Sequence, residues 1–408
     1  MNLKNKKILL IIGGGISAYK SLDLIRLLQR KNCSLKIILT KTGKKFVTSL
    51  SISSLSKSRV FEDTFGEKSG GKMDHIALSR WADVILVLPS TANFMSKLSR
   101  GSADDLATTV ILASDKETFL IPAMNVRMWE HKATQKNLRT LFSYGYKFIG
   151  PLDGEMACGE YGKGKMSSPR QIISYLENFF KQKDYFKKKN IRATVTAGPT
   201  REYIDPVRYI SNESSGKQGY EIALELSRLG IKTTLISGPT NINYSNEIKV
   251  KKITSGRQMF NEVKKALPTD IAVCTAAVSD FRPIFKNKQK LKKKISLDKI
   301  QLEQNPDILE FLGKNNRHKP KLLVGFSAET ENIVENSIEK IKEKHCDLII
   351  ANDVSKKDSG FNVDQNEIVI IYKNGDIQKV KKSSKKLIAS IVTKKIINSF
   401  LDIKKRLN

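Results

Sequence analysis

Thr194-Val-Thr-Ala-Gly-Pro-Thr-Arg-Glu-Tyr-Ile-Asp-Pro-Val-Arg-Tyr-Ile-Ser-Asn-Glu-Ser-Ser-Gly-Lys-Gln-Gly219 lies at the middle of the chain and reads as a beginning. A short apolar run, Thr194 to Ala197, breaks at Gly198-Pro199. A polar loop follows, and a helical pattern from Tyr220 to Leu229 stops at Gly230. The first residues repeat that order: Ile8 to Ile12 is continuously apolar, Gly13-Gly-Gly15 turns, and Ala18, Leu22, Ile25 and Leu28 mark one face of a helix. A strand apolar on both faces belongs in a parallel sheet. Free N–H groups where a helix begins, near Ser17, favour a phosphate. A chain that starts twice predicts two nucleotide-binding α/β domains joined end to end.

The totals agree with that division. At 408 residues the chain is long for one core and comfortable for two. Its composition, 40% hydrophobic and 28% charged, is that of an ordinary globular protein. The net charge of +31 suits anionic substrates, nucleic acid or simply a lysine-rich solvated surface. No ribonucleoprotein motif or finger spacing supports nucleic acid. Cys33, Cys158, Cys274 and Cys346 have no paired spacing, which argues against a zinc site or disulfides and for a reducing cytoplasm. His75, His131, His318 and His345 form no helical ligand pair. Lysines ahead of Ile8 give the start the outline of a leader peptide, but the run is short and ends in a glycine turn. No stretch approaches the roughly 20 apolar residues that span a bilayer.

Further strands are expected at Leu35 to Leu39, Asp83 to Pro89 and Phe119 to Pro122, ending at Thr40-Lys-Thr42, Thr91-Ala-Asn93 and Ala123-Met-Asn125. Ligands collect beyond the carboxyl ends of parallel strands, so polar residues in three such loops inform more than any one. Pro151 to Lys165 reads as a glycine-rich flap carrying Cys158, Gln171 to Phe180 as a helix, and Lys181 to Asn190 as a polar linker. In the second half, strands are expected at Ile271 to Asp280, Leu322 to Phe326, Asp347 to Ala351 and Ile368 to Tyr372. Phe281 to Lys294 reads as a basic loop, Glu331 to Lys344 as a helix and Lys381 to Leu401 as the last helix.

Several motifs in one order are more specific than a glycine-rich turn. Gly13-Gly-Gly-Ile-Ser-Ala-Tyr-Lys20, His75-Ile-Ala-Leu78, Ala82-Asp83, Pro89-Ser-Thr-Ala-Asn93, Gly101-Ser-Ala-Asp-Asp-Leu106, Pro122-Ala-Met-Asn125 and Ala157-Cys-Gly159 make the first half resemble the flavin-dependent cysteine decarboxylases. The opening stretch, Ala276-Ala-Val-Ser-Asp280, Asn305-Pro-Asp-Ile308, Val324-Gly-Phe-Ser-Ala-Glu-Thr330 and Ala351-Asn-Asp-Val-Ser355 make the second half resemble phosphopantothenoylcysteine synthetase. Together they resemble the family of bacterial bifunctional coenzyme A biosynthesis proteins over nearly the whole chain. The resemblance implies two Rossmann-like α/β domains. A flavodoxin-like flavoprotein domain would occupy residues 1–185, a linker 186–190, and a nucleotide-binding ligase domain 191–408.

That resemblance also implies the chemistry. A carboxylate leaves as CO2 only if its electrons have somewhere to go; in this family FMN oxidises the cysteine thiol, and the sulfur takes them up. By resemblance Gly14, Gly15, Ser17, Thr40, Thr91 and Asn93 bind FMN. His75 is the base, Asn125 holds the substrate carboxylate, and Cys158 protonates the enethiol. Lys165 stands where the family has Arg, and a lysine cannot make arginine's bidentate phosphate contact. In the ligase half CTP, with Mg2+, activates 4'-phosphopantothenate for attack by the amine of L-cysteine. Cys274, Thr275, Ala276, Asp280, Asn305, Pro306, Asp307, Ile308, Phe326, Lys340 and Lys344 bind CTP by resemblance. Lys290 acts on the activated intermediate and triphosphate, Asn212 engages the acyl intermediate, and the metal ligands stay unassigned. Trimeric flavin domains and dimeric ligase domains would make a dodecamer, in the cytoplasm, with no membrane or nucleic-acid partner.

On the residues alone, blander readings stand beside these. His75 can be structural, Asn125 a helix cap, Cys158 inert, Asn212 a turn residue and the lysines a solvated face. For the whole chain, the rivals are a decarboxylase acting on a peptidyl cysteine and a nucleic-acid binder with a degenerate enzyme fold.

Overall fold

The computed structural model describes residues 3–62, 74–291, 299–329, 331–353 and 365–407. Lys292, Lys293 and Lys294 of the basic loop, and Thr330, Val354 and Ser355 of the motifs quoted above, lie outside the described residues. The chain divides into two compact units, Met1–Gln182 and Lys183–Asn408.

The first unit alternates strand and helix: β1 (Lys7–Ile12), α1 (Lys20–Arg30), β2 (Ser34–Leu39), α2 (Ser49–Ser56), β3 (Val60–Glu62), α3 (Asp74–Trp81) and β4 (Val84–Ser90). It continues with α4 (Ala92–Ser99), α5 (Leu106–Leu112), β5 (Glu117–Pro122), α6 (Val126–Glu130), α7 (Lys132–Tyr144) and β6 (Lys147–Phe148). The strands form one parallel sheet in the order β3-β2-β1-β4-β5-β6. The order reverses between β1 and β4, which makes their carboxyl ends the switch point where ligands bind in such sheets. Strand periodicity explains the apolar run of β1: Ile8, Leu10 and Ile12 enter one core layer while Leu9 and Ile11 enter the other.

The expected flap is a two-stranded antiparallel hairpin, β7 (Leu152–Glu155) and β8 (Tyr161–Lys165). Then α8 (Pro169–Lys188) runs through most of the expected linker. Its polar surface hides an apolar face. Phe179 and Phe180 are buried in the first unit's core, and Phe186 is buried with Ile191 and Phe400 in the second's.

The second unit begins at the stretch quoted first. Its elements are β9 (Arg192–Ala197), β10 (Arg201–Tyr203), β11 (Tyr209–Ser211), α9 (Lys217–Arg228), β12 (Lys232–Ser237), β13 (Lys249–Lys252), α10 (Gly256–Ala266) and β14 (Ile271–Cys274). They continue with β15 (Phe281–Pro283), β16 (Leu302–Gln304), α11 (Ile308–Gly313), β17 (Leu322–Glu329), α12 (Ile333–Lys344), β18 (Leu348–Asp353), β19 (Gln365–Tyr372), β20 (Ile377–Ser384) and α13 (Lys385–Leu407). The main sheet has the order β13-β12-β9-β14-β17-β18-β19-β20, parallel as far as β18 and antiparallel beyond it. Here β9 holds the place that β1 holds in the first unit, with the switch point between β9 and β14.

Three expectations are corrected. The strand expected to reach Asp280 ends at Cys274. From Thr275 on, the backbone turns to bond the end of β9: Thr275 N–H donates to Thr196 O at 3.2 Å and Ala277 N–H to Gly198 O at 3.0 Å. The polar loop after β9 contains a small hairpin, β10–β11. The last helix starts at Lys385, because the residues before it form β20, whose Val380 is buried under the sheet.

Candidate active sites

At the first unit's switch point the loop after β1 lies flush against the end of β4. A Cβ on Gly13 would stand 2.4 Å from Pro89 O, so no larger residue fits without moving backbone. Thr40 ties the adjoining loop down: its hydroxyl donates to Ile12 O at 3.0 Å and accepts from Gly43 N–H at 3.1 Å. Thr91 caps α4 by accepting from Phe94 N–H at 3.2 Å, and Asn93, two residues on, is exposed in the first turn. Ser17 stands in a single 3-10 turn ahead of α1. Beside these, the Ser90 hydroxyl is buried and has no hydrogen-bond partner among the described residues. An orphaned hydroxyl among loop hydroxyls and glycine backbone fits a polar ligand such as the flavin's ribityl or phosphate portion. Burial, and then the like charge of Lys165, draw Lys20 below the ordinary lysine range, so two cations share this side of the unit.

The hairpin brings Cys158 to Asn125. Gly162 and Gly164 on β8 lie directly on the residues that start α6. A Cβ on Gly164 would stand 2.3 Å from Met124 O, and one on Gly162 would stand 2.8 Å from Val126 Cγ2. Met124 N–H in turn donates to Gly164 O at 3.1 Å. Asn125 is the cap of α6, its Oδ1 accepting from Arg127 N–H at 2.7 Å. That bond fixes the amide, leaving Nδ2 to face the hairpin turn. Nδ2 donates to Cys158 Sγ at 3.4 Å and to Glu160 Oε2. The cap reading and the site reading of Asn125 are therefore compatible, since they use different atoms. His75 is half-buried in the first turn of α3 and, among the described residues, makes no hydrogen bond to Asn125 or Cys158.

In the second unit a cavity of about 870 Å³ opens at the switch point. Its floor is the loop after β14, held by Ala276 N–H to Thr196 Oγ1 at 3.4 Å and Ser279 N–H to Thr200 Oγ1 at 3.0 Å. Asn305 Nδ2 donates to Ser279 O at 2.8 Å, which pins the Asn305-Pro-Asp-Ile308 turn beside it. Asp307 caps α11 through Glu310 N–H at 2.9 Å, and Asn212 Nδ2 donates to Val278 O at 3.0 Å. Cys274, Thr275, Ala276, Asp280, Asn305, Pro306, Asp307, Ile308, Phe326, Lys340 and Lys344 all line the cavity, as does Asn212. Lys290 does not. It is exposed, and its neighbour Leu291 is tethered elsewhere, to Asp205 at 3.3 Å and to Arg208 at 2.8 Å. Burial opposes ionisation of Asp205, yet three backbone N–H groups and the Arg208 guanidinium draw its carboxyl below the usual range.

Lys344 is held by two carboxylates, Glu310 Oε2 at 2.8 Å and Asp307 Oδ2 at 3.2 Å. The hydrogen bond to Glu310 is the main reason its ammonium is raised above the lysine range. Hydrogen bonds from Lys314 and Lys344 hold Glu310 down to about 2, against 4.5 for an ordinary glutamate. A lowered carboxylate contributes stability above its unfolded value, and that contribution is lost as pH falls through the folded value. A carboxyl-carbon titration of Glu310 is therefore expected to have its midpoint near 2. A midpoint of 4 or more would show that neither lysine holds it.

Residues 1–181 match the model of the family described as Flavoprotein, and residues 188–400 that of the DNA/pantothenate metabolism flavoprotein C-terminal domain. Coenzyme A biosynthesis bifunctional protein CoaBC of Haemophilus influenzae is 40% identical over 393 residues, which are 96% of this chain and 97% of that one. The chain belongs to the bifunctional coenzyme A biosynthesis family. The family's protein from Escherichia coli is 37% identical over 92% of this chain and 93% of its own. A solved structure titled as the C-terminal domain of CoaBC is 35% identical, with a TM-score of 0.44, over 52% of this chain and 96% of that chain.

Within this family fold, sequence reasoning left several residues of the two sites unnamed. Glu310, Asn366 and Lys385 line the second cavity and Glu160 meets Asn125. Glu310 was findable, being three residues past Asp307 on the same helix face. Lys385 and Asn366 carry no local signal, because only the antiparallel end of the sheet brings them in. Among the described residues no three His, Cys, Asp or Glu side chains cluster to hold a metal, and no helix is long and apolar enough to cross a membrane.

Proposed function

We propose a division of labour, residue by residue, for an enzyme that performs two consecutive steps. The carboxyl-terminal unit joins L-cysteine to 4'-phosphopantothenate, using CTP through an acyl-cytidylate. The amino-terminal unit decarboxylates the resulting 4'-phosphopantothenoylcysteine to 4'-phosphopantetheine with FMN. When bound, FMN takes up and returns the electrons that make the substrate sulfur an acceptor as CO2 leaves.

The chain's own residues do the rest. The loops carrying Gly14, Gly15, Ser17, Thr40, Thr91 and Asn93, together with the Ser90 hydroxyl, hold the flavin. His75 accepts the proton released as the thiol is oxidised. Asn125 Nδ2 holds the substrate carboxylate, and Cys158 Sγ gives its proton to the enethiol carbon. The 3.4 Å contact between Asn125 and Cys158 carries this reading, since residues 33 apart meet where the carboxylate leaves and a proton must arrive. In the second unit the start of α9, Lys340 and Lys344 receive the phosphates, where cations stabilise developing charge. Asn212 engages the acyl group. Mg2+, when bound, would offset charge on the CTP phosphates.

Two neighbouring hairpins, β10–β11 and β15–β16, expose Val207, Tyr209, Phe281 and Leu302, with Phe285 76% exposed beside them. Such a patch supports a paired ligase unit. Trimeric flavin units and a dodecamer follow the family expectation, as does a cytoplasmic location. The test is a coupled assay with 4'-phosphopantothenate, cysteine, Mg2+ and each nucleotide in turn, reading CO2 and 4'-phosphopantetheine. Lys290 lies outside the cavity lining, so its role on the activated intermediate rests on the family resemblance; on that role Lys290→Gln is expected to lower ligation about 100-fold, the size of losing one transition-state cation, and to leave decarboxylation of supplied substrate unchanged. Unimpaired ligation would remove Lys290 from the site.

A further inference from the structure

We propose that Glu160 is a positioning residue of decarboxylation: its carboxylate holds the place on Asn125 that the substrate carboxylate takes, and exchange of the two times the arrival of Cys158. This rests on the roles given above to Asn125 and Cys158.

Asn125 has one amide nitrogen to offer, because its oxygen is committed to Arg127 N–H at 2.7 Å. Nδ2 donates to Glu160 Oε2 and to Cys158 Sγ, using both of its protons. Glu160 and Cys158 share one tight turn between β7 and β8, closed by Met156 N–H to Glu160 O at 2.9 Å and Gly159 N–H to Met156 O at 2.9 Å. Cys158 Sγ lies 4.0 Å from Glu160 Oε2. The three polar groups therefore form one contact set. A substrate carboxylate has the charge and shape of the Glu160 side chain, so the two compete for one N–H and repel each other.

The exchange has a direction. An arriving substrate displaces Glu160, and the turn that carries Cys158 shifts with it. After the substrate thiol has been oxidised to a thioaldehyde, its two electrons kept by the bound flavin until the last step, the bond between the carboxyl carbon and its neighbour breaks; CO2 leaves and the bonding pair passes through carbon to sulfur, giving the enethiolate. The competitor for Asn125 has now become neutral and departed. Glu160 returns to Nδ2 and draws Cys158 back, and the thiol gives its proton to the enethiolate carbon. Glu160 is unchanged throughout and the proton comes from Cys158.

The experiment uses the flavin-loaded full chain and compares Glu160→Ala and Glu160→Gln with the unaltered protein. Glu160→Ala is expected to lower KM for 4'-phosphopantothenoylcysteine about 3- to 10-fold and to lower kcat about 10-fold, the pattern of a lost ground-state competitor that also guides the acid. Inhibition by 4'-phosphopantetheine, which has no carboxylate, should change less than about 2-fold. Glu160→Gln keeps an acceptor without the charge, so KM should fall while kcat recovers to within about 3-fold. Flavin absorbance, melting temperature and the ligation rate serve as controls for folding. An unchanged or raised KM in Glu160→Ala overturns the proposal, and so does equal tightening of substrate and product. If instead Cys158→Ser still turns over, the parent assignment has failed, whatever Glu160 does.

Discussion

Replacing Cys158 by serine is expected to leave the first unit able to release about one equivalent of CO2 per site and unable to complete a turnover. Hydroxyl oxygen holds its proton far more tightly than thiol sulfur. The step after decarboxylation therefore loses its acid while the steps before it keep their residues. A positioned acid or base contributes roughly 10²- to 10⁴-fold, and steady-state formation of 4'-phosphopantetheine is expected to fall by about 10³ or more. Ligation, which belongs to the other unit, continues at its ordinary rate. The discriminating measurement is the ratio of CO2 to 4'-phosphopantetheine in a single turnover, with flavin content as the folding control. Repeated turnover by Cys158→Ser, or loss of both activities in folded protein, would undo the division of labour.

The second large effect comes from a residue that touches no substrate. An added Cβ in Gly164→Ala would stand 2.3 Å from Met124 O, a backbone atom that cannot swing aside. The β7–β8 hairpin must lift from the start of α6, which breaks the 3.1 Å bond from Met124 N–H and carries Cys158 away from Asn125. Misplacing a catalytic group by about 1 Å costs on the order of 10²-fold. We expect kcat for decarboxylation to fall by about that factor, with ligation and bound flavin retained. The hairpin is peripheral to both core layers of its unit, so the melting temperature is expected to move little. A kcat within a few-fold of the unaltered protein would show that the hairpin docks elsewhere in solution.

Much of the fold is legible in the sequence. The alternation of strand, glycine turn and helix at Ile8 and again at Thr194 gives both parallel sheets, because continuous apolar runs are what strands buried on both faces require. The residues that the resemblance assigns to CTP are spread from Cys274 to Lys344, and all but Lys290 line one cavity. What escaped has physical reasons. The end of α8 was read as a linker because charged residues dominate Lys181 to Asn190, while the burial of Phe186 depends on Phe400, over two hundred residues away. β20 escaped because Lys379, Lys381 and Lys382 surround its one buried residue, Val380. The hairpin carrying Cys158 escaped because glycines have poor strand propensity. Glycine was needed there for closeness to α6, a tertiary demand. Glu160 escaped for a related reason, since a carboxylate in a turn is unremarkable until its partner comes from another strand's end.

The four cysteines differ in a way that reaches beyond catalysis. Burial pushes Cys274 up to about 12, and Cys33 and Cys346 up to about 11, so at neutral pH these three carry their protons; Cys346 is buried, and Cys33 and Cys274 are half-buried. Cys158 alone is exposed. A mild alkylating dye should therefore attach at one place per chain, on the tip of the hairpin, without engineering the other three away. The same arrangement concentrates oxidative damage at one sulfur, so peroxide exposure should silence the lyase step while amide-bond synthesis carries on and its product accumulates.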